Sequence, residues 1–151
     1  METEIKKIIE ELLGKLGFDF TNVSSELDMD SGSFWFSVES KDSNFLIGKD
    51  GETIQSLNFL LKRFVEKKYK ENTPHVTLDV NNYQKAKVEK IKTIAHMMSE
   101  RARFFKSKIE LEPMNSFERR IVHEYVSKHA DLKSESAGFG KDRHIVISFV
   151  K

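Results

Sequence analysis

Phe45-Leu46-Ile47-Gly48-Lys49-Asp50-Gly51-Glu52-Thr53-Ile54 is the stretch that decides how this chain is to be read. Gly48 and Gly51 part a short apolar segment from a long amphipathic one. Without Cβ atoms the backbone turns sharply there, and a bulky ligand can approach it closely. The first amides of the helix that follows attract negative charge. Ile47 and Ile54 anchor the turn from either side, and Lys49 adds a positive charge. A plain helix–helix connection uses the same residues, so the surroundings must separate the two readings.

Upstream, Ile5, Ile8, Ile9, Leu12, Leu13 and Leu16 recur at helical spacing, which predicts a helix over 2–16 ended by Gly17. Two strands are expected over 18–25 and 33–40, parted by the acidic turn Asp28-Met29-Asp30-Ser31-Gly32. In the second, Phe34, Phe36 and Val38 alternate with Ser33, Trp35 and Ser37. Downstream, Ile54, Leu57, Leu61, Phe64 and Val65 make the apolar stripe of a long helix that closes before Pro74. A short strand over 75–80 follows, with Val76, Leu78 and Val80 on one face. A second long helix is expected over 83–107, turning Val88, Ile91, Ala95, Met98, Ala102 and Phe105 inward. Lys85 to Lys108 supply eight Lys and Arg against Glu89 and Glu100.

The last third of the chain predicts a strand over 109–112, ended by Pro113. Asn115 stands three residues before Glu118, an Asn form of the capping box, so a helix should begin near Ser116 and run to about residue 130. Strands over 132–137 and 143–150 flank the Gly138-Phe139-Gly140 turn and are expected to pair as a hairpin. The fold class is α+β, two small domains each with a small sheet and helices. One domain is expected over 1–81 and the other over 82–151, with the helix 83–107 as connector.

Composition narrows the function. Apolar residues make up 38% and charged residues 32%, which fits a soluble, packed protein. The absence of Cys excludes disulfide scaffolds, zinc ribbons and thiol nucleophiles. No apolar run reaches the length of a membrane span, and the charged start does not resemble a signal peptide, so a cytoplasmic location is expected. Residues 1–40 hold three Lys against nine Asp and Glu, and the remainder holds twenty-two Lys and Arg against fifteen acids. A basic remainder hints at a polyanionic ligand, although a solvated helix surface has the same composition. Enzyme motifs fail in turn. His123-Glu124 lacks a second His at the place held by Ser127, and Gly48-Lys49 lacks the rest of a P-loop. Gly138-Phe139-Gly140 leads to Arg143 where a dinucleotide fingerprint needs a small residue. Neither catalytic residues, nor metal ligands, nor a cofactor are expected.

Glu118-Arg119-Arg120-Ile121-Val122-His123 is the second constellation. Arg119 and His123 stand four apart and share a helix face, while Ile121, Val122 and Tyr125 serve the core. A guanidinium and an imidazole side by side can pair with a phosphate and stack on a base. His123 is expected on an exposed face, titrating near its ordinary value of about 6.5. An exposed Arg beside a core-edge His would look the same in sequence.

The order helix, two strands, Ile-Gly-x-x-Gly-x-x-Ile, long helix, strand resembles a KH domain. The Arg-x-x-x-His segment resembles an R-three-H domain. Both in this order, with the blocks 46–53, 76–80 with Tyr83, and 111–115 running into 118–123, resemble the Jag family of bacterial proteins. That resemblance implies a non-catalytic binder of single-stranded RNA acting in cell-envelope, division or sporulation control. It implies contacts from Ile47, Gly48, Lys49, Asp50, Gly51 and Ile54 on one domain, and from Arg119, Arg120, His123 and Arg143 on the other. A small KH-domain protein or a second copy is the implied protein partner. A protein-interaction adaptor with little RNA binding, and single-stranded DNA as ligand, are the alternatives. Family members commonly begin with a Jag-N domain, which this chain lacks, so it is expected to be a short form or a fragment. Asp50 also departs from the basic or neutral residue common in such loops, and an acid beside a phosphate path weakens binding.

Overall fold

Helix α1 (Glu2–Lys15) forms because Ile5, Ile9 and Leu13 recur four apart and all three are buried. The computed structural model describes residues 1–151, which divide into two units, Met1–Gln84 and Lys85–Lys151. In the first, α1 leads into strands β1 (Asn22–Asp28) and β2 (Ser33–Glu39), then a short helix α2 (Ser43–Ile47), helix α3 (Glu52–Tyr69) and strand β3 (Val76–Val80). β2 lies in the centre of the sheet, antiparallel to β1 and parallel to β3. Helices and sheet enclose one core, built on Phe36, Val38, Leu46, Ile54, Leu61 and Leu78.

Two side-chain amides hold this unit's edges. Asn58 on α3 donates to the carbonyl of Leu78 at 2.9 Å and accepts from its amide at 2.7 Å, so the open side of β3 is partly satisfied. Asn81 pairs both ways with the Ser40 backbone, which ties the ends of the parallel strands together. Asn81 and Asn82 both have positive φ, a conformation that Asn tolerates better than most residues.

The first strand begins later than the sequence pattern suggests. Asp28 accepts from the Asp30 amide and the Ser31 hydroxyl, fixing a tight turn that sets Asp28 opposite Ser33 and Asn22 opposite Glu39. Phe18 and Phe20 are thereby left outside the ladder and pack against the core as irregular chain.

Helix α4 (Tyr83–Phe105) runs from the end of the first unit into the second, which continues with β4 (Lys108–Glu110), α5 (Ser116–Ser127), β5 (Leu132–Ala137) and β6 (His144–Phe149). β6 is central and antiparallel to both neighbours. Its core gathers Ile91, Ala95, Ala102, Leu111, Val122, Ile145 and Ile147. The fold is therefore α+β, with two three-stranded sheets. No helix is long and apolar enough to cross a membrane.

Two residues expected inside are outside. Phe64 is 45% exposed, because it stands about 60° to one side of the centre of the buried line of Leu57, Leu61 and Val65, at the edge of the stripe. Phe105 is 63% exposed, because Ala102 is the last inward position before Lys106, at positive φ, turns the chain out of the helix. Phe105 instead meets Phe104 edge to face at 5.0 Å.

Candidate nucleic-acid interface

In the first unit the Gly48 turn is built to bring bare backbone to the surface. Gly48 adopts φ 73° and ψ −179°, a region essentially closed to residues with a side chain. A Cβ there would stand 2.9 Å from the Thr53 amide nitrogen. Gly51 has φ 78°, and a Cβ would meet the Tyr83 hydroxyl at 3.1 Å. Tyr83 therefore roofs the second glycine, a role no local sequence pattern reveals. Asp50 sits at φ 53°, so three of the four turn residues have positive φ. Lys49 and Asp50 are exposed, Ile47 and Gly48 are half-buried, and Gly51 is buried.

Ile54, expected to help shape a binding groove, is fully buried in the core. It fixes the start of α3 and offers no atom to a ligand. Exposed apolar side chains lie instead on Phe45 and on α3 at Phe59, Leu60 and Phe64. An open depression of about 670 Å³ is lined by Glu52, Gln55, Ser56, Phe59 and Leu60.

In the second unit the Asn115 side chain accepts from the Glu118 amide, while the Glu118 carboxylate accepts from the Asn115 amide, completing the capping box. Lys87 reaches Glu118 at 2.9 Å and so holds the start of α5. With the helix fixed, Arg119 Nη1 donates to the Met114 carbonyl at 2.7 Å. The Met114 amide donates to the Arg143 carbonyl at 3.1 Å. Arg143 Nη1 in turn donates to the Gly138 carbonyl at 2.9 Å. The two arginines are thus joined through the Met114 backbone, and each keeps further N–H donors beyond the one it uses.

His123 departs from expectation. Its Nδ1 lies 2.7 Å from the Ser134 hydroxyl and its Nε2 lies 3.1 Å from the Ser136 hydroxyl. Both serines are on β5, so the ring is half-buried between helix and sheet. Burial foremost, and then the charge of Arg119, hold its pKa below the ordinary value. The ring is a half-buried strut with both nitrogens engaged, and it does not stand on the exposed face, titrating at its ordinary value, that the Arg-x-x-x-His spacing suggests. Ser134 and Ser136 are the partners that sequence reasoning misses, and their alternation on one strand face is the signal available. Arg120 is exposed beside Glu124 at 3.7 Å, with its guanidinium 5.6 Å from the Phe117 ring. It stands about 100° around the helix from Arg119.

One basic residue of α4 is committed within the second unit. Arg103 binds Asp131 through two nitrogens, at 2.7 and 3.1 Å, and Glu100 at 2.5 Å. The guanidinium holds the Asp131 carboxyl below the usual range.

Residues 89–149 match the R-three-H domain family. The chain is 33% identical over 111 residues to RNA-binding protein KhpB of Clostridium symbiosum, a span of 74% of this chain and 50% of that protein. It is 33% identical over 115 residues to RNA-binding protein KhpB of Bacillus subtilis, covering 75% and 55% of the two chains. Against RNA-binding protein KhpB of Lactiplantibacillus plantarum it is 26% identical over 155 residues, covering 99% and 46%. The chain spans about half the length of the curated relatives it matches.

Proposed function

We propose that this chain is a non-catalytic binder of single-stranded RNA, a member of the Jag family with a KH domain over 1–81 and an R-three-H domain over 82–151. The observation that carries the proposal is the fixed pair Arg119 and Arg143, linked through Met114 within the segment that matches the R-three-H domain family. Two guanidiniums held in place by their own backbone contacts are pre-oriented donors for phosphate oxygens. The similarity to proteins named KhpB supports RNA as the polyanion. The order of elements around the Gly48 turn supports the KH reading, in which Gly48 gives a sugar-phosphate chain access to backbone and Lys49 adds charge, while Gly51, expected to share that contact, is buried under Tyr83 and only shapes the turn. The resemblance extends the proposal to post-transcriptional control of the cell envelope, division or sporulation, in the bacterial cytoplasm.

Anisotropy titration of labelled single-stranded RNA, single-stranded DNA and duplex controls tests this. Single-stranded RNA should bind best, and Arg119→Gln should weaken it about tenfold, the loss of one charge-assisted contact. Equal binding of single-stranded DNA would remove RNA from the proposal and keep the single strand. No binding to any single strand at low salt would leave the protein-adaptor reading. The exposed Phe59, Leu60 and Phe64 on α3 favour that second reading, with a KH-domain protein or a second copy as partner.

A further inference from the structure

The loop Gly138–Arg143 fails as a dinucleotide motif, yet it carries the most exposed large apolar side chain in the protein. Phe139 is 89% exposed. Its backbone is ordinary extended chain, φ −135° and ψ 148°, so no local strain pushes the ring outward. The loop beneath it is closed by several contacts. The Asp142 amide donates to the Phe139 carbonyl at 3.2 Å, and the Arg143 amide to the Gly140 carbonyl at 3.3 Å. The Arg143 guanidinium grips the Gly138 carbonyl at 2.9 Å. Gly138, at φ +82°, lies so close to the Asp142 carbonyl that a Cβ would stand 2.9 Å from it. A flexible tip could fold a phenylalanine back onto the core. This tip is tied down, and the ring stays in water.

Phe139 follows directly on the carbonyl that Arg143 holds, and Arg143 is joined through Met114 to Arg119. Lys141 is exposed on the same loop, with Asp142 as the single acid there. An aromatic face beside fixed guanidiniums is the pattern that recognises a single strand, because phosphates take the cations and an unstacked base takes the ring. The geometry points to Phe139 as a base-stacking residue, which holds one nucleobase of a strand whose backbone lies on Arg119 and Arg143. This rests on the RNA-binding reading above and adds a position that the Arg-x-x-x-His spacing does not contain. Stacking needs a π face and tolerates any base, so the contact contributes affinity with little sequence preference.

The test uses the full chain and a short oligoadenylate carrying 2-aminopurine, whose fluorescence is quenched on stacking. Phe139→Ala should weaken binding about tenfold and abolish the protein-dependent quenching. The slope of affinity against salt should not change, because no charge is removed. Phe139→Trp should retain both affinity and quenching, whereas Phe139→Leu should fail as Ala does. Melting temperature should be the same for all three, since the ring buries nothing. Natural affinity in Phe139→Ala, alongside weakened Arg119→Gln, would overturn the stacking role and leave RNA binding standing. Retained affinity in Phe139→Leu would overturn it too, because an aliphatic side chain has no face to stack. So would a loss of self-association in sedimentation with RNA affinity untouched, which would make the ring a protein contact. Failure of the natural protein to bind the oligonucleotide would overturn both proposals together.

Discussion

His123 is held by Ser134 and Ser136, and its free-energy contribution depends on staying neutral. Its pKa in the folded protein lies below the ordinary 6.5, from burial first and Arg119 second. Between the folded and unfolded values the unfolded chain binds more protons, so stability rises with pH across that window. The contribution is fully present above about pH 6.5 and is lost as pH falls through the folded value. His144 works in the opposite sense: its pKa is raised by the Asp142 carbonyl and by Glu110, so its contribution is lost as pH rises. Comparing variants isolates the first effect. His123→Ala should lower stability at pH 7.5 by about 1–2 kcal/mol, two ordinary hydrogen bonds, and should flatten the acid side of the profile. Urea melts at pH 5 and pH 7.5 check this. Equal acid sensitivity in the variant would mean that His123 is not the titrating group. For RNA, His123→Gln should leave the pH dependence of binding unaltered, because an engaged neutral ring offers no charge to a phosphate.

At the Gly48 turn the proposed RNA path would meet a basic and an acidic residue side by side. Lys49 is exposed and lies outside the positive-φ positions, so Lys49→Asp alters charge with the backbone undisturbed. Melting temperature should hold and RNA affinity should fall about tenfold, as attraction turns to repulsion. Asp50→Asn makes the reverse case. Asn tolerates φ 53° as well as Asp does, and the acid is gone. Affinity should then rise several-fold, with the gain shrinking as salt increases. Filter binding on both variants reads the outcome. If neither moves the affinity, the turn carries no nucleic acid, and the second unit is the only RNA surface.

Across the whole molecule the formal net charge is only +1, so the proposed RNA binding must rest on local cations and not on bulk attraction. Lys49, Arg119, Arg120 and Arg143 are the candidates, which gives a slope of roughly −2 to −3 for log affinity against log salt, at about −0.7 per phosphate. A flat response would remove phosphates from the interface. The residues that signal elements act locally, and the structure follows them. Ile5, Ile9 and Leu13 make a helix, Phe36 and Val38 a strand, and Asn115 with Glu118 a capped start, because period and capping depend on neighbours a few residues away. Where a residue's role depends on distant chain, the pattern misleads. The resemblance makes Ile54 a ligand contact, yet it lies in the core with the stripe its spacing joins, and Phe105 reads as core and lies in water. By itself the sequence determined the α+β class, the order of the elements and the positive-φ turn at Gly48, which only glycine can occupy. Tertiary structure alone decided that Tyr83 roofs Gly51, that Arg103 is occupied by Asp131, and that Arg119 and Arg143 meet through Met114. It also decided the direction of the His123 pKa shift, because burial between α5 and β5 comes only with folding and outweighs the nearby charge of Arg119 as its cause.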